Sequence, residues 1–201
     1  MGPFDIGKKA DTDRVLLSQP ILGNREIETY IASILSADDK NYENPTSYVA
    51  RNAYFFTRDL PIPPPAPVTA DPSDNSVPTL AEVEVALQDM LITDELKLLR
   101  FLALNTADQS YAAMKQRLDS DVAAYAKAIE GLCESRADEV KMSNGDEADK
   151  GKVVKEWRKA VHRLLRERLA FGMPGPGSAV LMGVLGYEET CRRLSVDVVG
   201  E

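Results

Sequence analysis

Apolar residues recur every three or four positions over most of the chain, the spacing of one face of an α-helix. The longest series predicts a helix of about 30 residues that begins after Thr106 and reaches roughly Val140. Its apolar positions are Tyr111, Met114, Leu118, Val122, Tyr125, Ile129 and Leu132. No stretch alternates apolar and polar residues as a strand does. The pattern therefore predicts an all-α protein whose helices pack as a bundle.

Two helices are predicted near the N-terminus, after a start with no clear period. Asn24 precedes "REIETYIASIL" and is a candidate N-cap. Asn44 and Pro45 open "NPTSYVARNAYFF", because proline is favoured at the first helical position. The second segment holds the densest aromatic cluster in the chain, which favours packing in a core.

Capping residues predict the helices of the bundle. In "TLAE", Thr79 and Glu82 form a capping box, and the helix that follows extends to about Leu91. Thr93 caps "DELKLLRFLAL", which is nearly all apolar after its first two residues and is predicted to be buried on most sides. Ser178 is the predicted cap of one last helix, "AVLMGVLGYEETCRRL".

A proline-rich stretch separates the two groups of helices. Asp59–Pro78 holds seven of the twelve prolines in the chain, which predicts extended backbone. The stretch is interpreted either as a linker or strap on the domain surface or as a docking segment for a partner. The chain is thus divided into an N-terminal arm with a helix pair, the proline-rich linker or strap, and a helical bundle, at residues 1–58, 59–78 and 79–201.

The segment "KGKVVKEWRKAVHRLLRERL", residues 150–169, predicts a strongly amphipathic helix with a basic face. Lys150–Arg168 holds eight Lys or Arg against two Glu, a net charge of +6 in a chain of −8, so that the remainder carries −14. The predicted apolar face comprises Val153, Val154, Trp157, Val161, Leu164, Leu165 and Leu169. The candidate partner-binding residues on the basic face are Lys152, Lys155, Lys159, His162 and Arg166.

Four interpretations of the basic face stay open. Its cations face water or the protein's own acids, dock an acidic protein partner, contact nucleic acid, or lie on an anionic membrane with Trp157 at the interface. The sequence pI of about 4.8 disfavours nucleic acid and anionic membranes, because the acidic remainder repels both.

Residue types that carry catalysis are sparse. His162 is the single histidine, and Cys133 and Cys191 are lone thiols, so neither a catalytic cluster nor a metal site is predicted. We therefore expect no cofactor and favour a protein without catalytic activity. Ser195 in "RRLSV" is a candidate phosphorylation site, because two arginines precede it as in the motifs of basophilic kinases.

The run "LRERLAFGMPGPGSAVLMGV" resembles the late helix–turn–helix of phycobiliproteins, in which a leucine-rich helix ends in a Gly-x-Pro turn before the final helix. The resemblance covers about 20 residues, and the bilin-carrying cysteine motif of that family is absent. It implies a helical protein that binds a small molecule, but not chromophore attachment. In the helix after the turn, Gly183 and Gly186 are expected to allow close approach of another helix.

These patterns predict a non-catalytic interaction or assembly protein that docks other proteins, or further copies of itself, through helix faces and extended arms. The alternatives are a nucleic-acid-binding regulator that uses residues 150–169 and a helical protein that binds a small molecule. No apolar run approaches the roughly 18 residues of a membrane span, and the start lacks the apolar centre of a signal peptide. A cytoplasmic location is therefore expected.

Overall fold

The computed structural model describes residues 34, 35, 37, 44–56, 77–104, 111–144 and 149–196. These residues form seven α-helices, one short 3-10 helix and no strand, which confirms the predicted all-α helical bundle. The helices are α1 Pro45–Arg51, the 3-10 helix Ala53–Phe55, α2 Leu80–Leu91, α3 Asp94–Leu104, α4 Tyr111–Asn144, α5 Lys150–Ala170, α6 Ser178–Leu185 and α7 Tyr187–Arg193. The predicted N-terminal arm, the cap at Asn24 and the proline-rich stretch before Val77 lie outside the described residues.

The longest helix, α4, is the centre of the packing. It lies along α5 and against α6, and α2 packs on both α4 and α5. At the other end of the chain, α7 contacts α3, α5 and α6. The apolar faces of these helices meet in one hydrophobic core, which also includes buried residues of the N-terminal segment.

Two helix starts agree with the capping residues predicted from the sequence. The Thr79 amide donates to Glu82 Oε2 at 2.8 Å, and the Glu82 amide donates to Thr79 Oγ1 at 3.3 Å, so the predicted capping box forms. The Asn44 side chain accepts from the Ser47 amide at 2.9 Å before α1, in which Pro45 is the first residue. The predicted long helix, α4, contains 34 residues.

The last helix differs from its prediction in two ways. It is broken at Gly186, whose φ of 80° and ψ of 169° lie in a region that is open essentially only to glycine. Its N-cap is Gly177, while Ser178 is the first helical residue, so the predicted serine cap is wrong. The prediction of close approach is confirmed at Gly183, where a Cβ atom would lie 2.8 Å from Val122 Cγ2 on α4.

Helix α3 is amphipathic rather than buried on most sides over Asp94–Leu99. Leu96 and Leu99 enter the core, whereas the Leu98 residue is 60% exposed. The prediction was wrong there because composition alone does not tell which of several leucines faces a neighbouring helix.

The aromatic N-terminal segment packs against the turn between α5 and α6. Tyr54 is fully buried, and its hydroxyl donates to Asn52 Oδ1 at 2.9 Å. A Cβ atom at Gly175 would lie only 2.1 Å from the Tyr54 hydroxyl oxygen, so glycine is what allows this contact. The Tyr48 hydroxyl donates to the Ile34 carbonyl at 2.9 Å, which holds the segment to the preceding helical residues.

Candidate functional site

Helix α5 carries the predicted basic face. It begins after Asp149, whose side chain accepts from the Gly151 amide at 2.9 Å, and it ends at Phe171, which has a left-handed φ of 52°. The buried positions of its apolar face are Val153, Trp157, Val161, Leu164, Leu165 and Leu169. Membrane binding through Trp157 would require its ring to be at the surface. The ring is instead buried in this face.

Two cations on one flank of α5 contact acidic side chains of α4. Lys150 Nζ lies 2.5 Å from Asp138 Oδ1, and Arg158 Nε donates to Glu130 Oε2 at 3.1 Å. These pairs stand in antiparallel register, since the two cations are eight residues apart and so are the two acids. Part of the basic helix therefore faces the protein's own acids.

The pattern of the basic helix did not predict these acidic partners. The matching eight-residue spacing on two long helices is a signal from which the antiparallel pairs with α4 could have been predicted. Near the end of α5, Arg168 Nη2 donates to Glu84 Oε1 of α2 at 2.9 Å. No local signal predicts that contact, because the two residues are 84 positions apart and meet only through helix packing.

The outward side of α5 presents Lys152, Lys155 and Lys159, which we call the lysine face. All three residues are exposed. The Lys159 side chain is 76% exposed, and its Nζ lies 3.8 Å from Glu156 Oε2 of the same helix. An exposed pair within one helix contributes at most about 0.5 kcal/mol, so this contact holds Lys159 only weakly.

His162 lies next to the lysine face and also contacts α6. It is exposed, yet its Nδ1 lies 3.0 Å from the hydroxyl oxygen of Ser178, which is buried. Partial desolvation of the ring on the side of Ser178, together with the positive charges of Arg158 and Arg166, holds the pKa of His162 below its ordinary value of 6.5. The imidazole is therefore mostly neutral at pH 7.

Arg166, the last candidate contact residue, is bound within the protein. Its Nη2 donates to the carbonyl oxygens of Gly175, at 3.3 Å, and of Pro176. These bonds tie the end of α5 to the turn before α6, a part in stabilising the fold that the sequence pattern did not reveal. The five candidates thus differ, with three lysines directed outward and His162 and Arg166 in contact with the α6 side.

Ser195 follows α7 and is exposed, with a left-handed φ of 55°. The two arginines before it are both engaged by Glu189: Arg193 Nε donates to Glu189 Oε1 at 2.7 Å, and Arg192 Nη2 donates to the same oxygen at 2.6 Å. A kinase that reads these arginines would have to compete with Glu189. Phosphorylation at Ser195 stays a prediction.

The two cysteines lie in the interior of the protein. Cys133 and Cys191 are both buried free thiols. Desolvation raises the pKa of Cys133 to about 11, which keeps it protonated and unreactive at neutral pH.

Across the described ranges, no group of three or more His, Cys, Asp or Glu side chains has the arrangement of a metal site. None of the described helices combines the length and apolar character needed to cross a membrane.

The phycobiliprotein resemblance of residues 165–184 rests on the sequence alone. No family model, curated protein or solved structure matches this chain.

Proposed function

We propose that this chain is a non-catalytic interaction protein that docks an acidic protein partner on the lysine face of α5. The observation that carries the proposal is the outward position of Lys155 and Lys159, one helical turn apart. Among the described residues, Lys155 has no ion-pair partner, and Lys159 has only the long contact within its own helix. The apolar face of α5 is occupied by the core, so this outward side is what the helix offers to another molecule.

The contrast with the flanks of α5 supports this choice. Cations that the fold uses lie 2.5–3.1 Å from carboxylates of other helices, as at Lys150, Arg158 and Arg168. In the part of the chain that the structure describes, Lys155 and Lys159 have no such short contact to an acid of another helix. An acidic partner would supply the carboxylates that the fold supplies elsewhere.

Electrostatics also favours a partner that differs from this chain over a symmetric dimer through α5. Two copies that met by the same lysine face would bring like charges together, which costs free energy. A partner with an acidic patch would instead be attracted over distances up to the Debye length of about 8–10 Å. We expect binding that weakens with salt, because the face is polar and exposed.

Affinity capture with charge-reversed variants tests the proposal. Lys155→Glu with Lys159→Glu is compared with Lys115→Glu with Lys127→Glu, which changes the net charge equally at exposed lysines of α4. The wild-type chain and the α4 variant should retain the same acidic protein from native extract, and the α5 variant should lose it. Equal retention by both variants would contradict the proposal.

The same experiment separates the alternative functions. Nuclease treatment removes a partner held through nucleic acid, and mass spectrometry of the eluate for small molecules detects a bound ligand. A nuclease-sensitive capture with a steep salt dependence would favour the nucleic-acid-binding alternative. Capture that is resistant to nuclease and lost on reversal of the lysine face supports protein docking.

A further inference from the structure

His162 is positioned to change the charge of the lysine face. It follows Lys159 by three residues on α5 and is exposed. The charged groups around it are Arg158 and Arg166 on its own helix and Glu130 on α4. Glu130 is already bound by Arg158. Ser178, which lies beside the ring, is the first residue of α6, and the helix dipole is positive at that end. The surroundings are therefore cationic on balance.

The contact with Ser178 allows the ring to gain a proton without rearrangement. When Nδ1 of the neutral imidazole carries no proton, the Ser178 hydroxyl donates a hydrogen bond to it across 3.0 Å. When Nδ1 carries a proton, the same hydroxyl accepts, since a hydroxyl group has both a hydrogen and lone pairs. Protonation thus adds one positive charge beside Lys159 while the hydrogen bond between α5 and α6 persists.

We propose that docking of an acidic partner on the lysine face is coupled to protonation of His162, so that binding strengthens as the pH falls from about 7 to 5. The inference rests on the proposed function, because it requires the carboxylates of the partner. Those carboxylates stay ionised in this range, since the ordinary pKa of aspartate is about 3.9.

The direction follows from linkage. Partial desolvation of the ring and the neighbouring arginines disfavour the imidazolium in the free protein, so the pKa of His162 lies below 6.5. Carboxylates brought near the ring favour the imidazolium and raise that pKa. Because the coupling is reciprocal, a partner that raises the pKa binds the protonated form more tightly. A rise of about one unit in the pKa of His162 on binding corresponds to an affinity gain of at most about tenfold at low pH.

The chain has a single histidine, which makes the test direct. The wild-type protein, labelled with ¹³C in its histidine ring, is titrated from pH 8 to pH 5 by NMR with and without a polyaspartate peptide at low salt. The peptide should raise the pKa of His162, and its Kd should fall about threefold to tenfold between pH 7.5 and pH 5.5. In His162→Gln, whose amide can still bond to Ser178, the ratio of the two Kd values should be close to one.

The outcomes separate the two proposals. Binding at both pH values with an unchanged His162 pKa would overturn the coupling and leave the docking face standing. Absence of binding at either pH in low salt would overturn the docking face and the coupling together. A His162→Gln protein that keeps the full pH dependence would assign the effect to another group and also overturn the coupling.

Discussion

Glu189 stabilises the C-terminal helix from inside the protein. The side chains of Glu189 and Arg193 are only 4% and 2% exposed, and Arg193 Nη1 also donates to the Leu169 carbonyl at 2.5 Å. Burial tends to raise the pKa of Glu189, but the hydrogen bonds from Arg192 and Arg193 outweigh it and hold the pKa below the ordinary value of 4.5.

Glu189→Gln should lower the free energy of unfolding by about 2–4 kcal/mol, because it leaves the Arg193 charge buried without a carboxylate. Since the folded-state pKa is lowered, the stabilisation from Glu189 is complete above pH 4.5 and is lost as the pH falls through the lowered value. Urea unfolding between pH 7 and pH 3 measures both effects, and the variant should lose less stability in acid than the wild type. The control is Glu167→Gln, whose partner Arg163 is 40% exposed, with an expected loss below about 1 kcal/mol. Equal losses in the two variants would contradict the buried ion pair.

What the sequence revealed at the residue scale depended on distance along the chain. The capping box of Thr79 and Glu82 was predictable, because both partners lie within one helical turn. The contacts of Arg166 with Gly175 and Pro176 were not, because the same basic spacing fits a solvent-facing arginine and one folded back onto a turn.

At the scale of elements, the apolar period predicted which segments are helical and roughly where α2 and α4 end. It failed at the break between α6 and α7, because a glycine inside a helical pattern is compatible with continuation, with close packing or with an end. The two glycines near the end of α6 show two of these cases. Gly183 packs closely against α4, and Gly186 ends the helix with a positive φ.

Gly186→Ala should destabilise the protein by about 1–3 kcal/mol, since the backbone conformation there is strained for any residue with a Cβ atom. The matched control is Gly131→Ala in α4, where a Cβ atom meets nothing within 4 Å. That change should stabilise the protein by about 0.5–1 kcal/mol through helix propensity. Thermal unfolding followed by circular dichroism compares the two, and a stabilised Gly186→Ala protein would contradict the break.

On the scale of the whole molecule, the segregation of charge was visible in the sequence. Which of the positive charges pair with the protein's own acids was not visible. The net charge of +6 on Lys150–Arg168 against −14 elsewhere does not reveal which cations form ion pairs within the protein. Helix packing decides this, because α4 and α2 bring Asp138, Glu130 and Glu84 to the flanks of α5. Among the described residues, Lys155 and Lys159 are the outward lysines of α5 that these ion pairs leave without a carboxylate of another helix.

Affinity for an acidic peptide measures that outward charge most directly. A fluorescent polyaspartate peptide is titrated at low salt with the wild-type chain, with Lys155→Glu/Lys159→Glu and with the control Lys115→Glu/Lys127→Glu. Reversing the lysine face should raise the Kd at least about tenfold, because two attractive contacts become repulsive, while the control should stay within about threefold of the wild type. Equal Kd values for the two variants would show that net charge alone governs binding and would contradict docking on the lysine face.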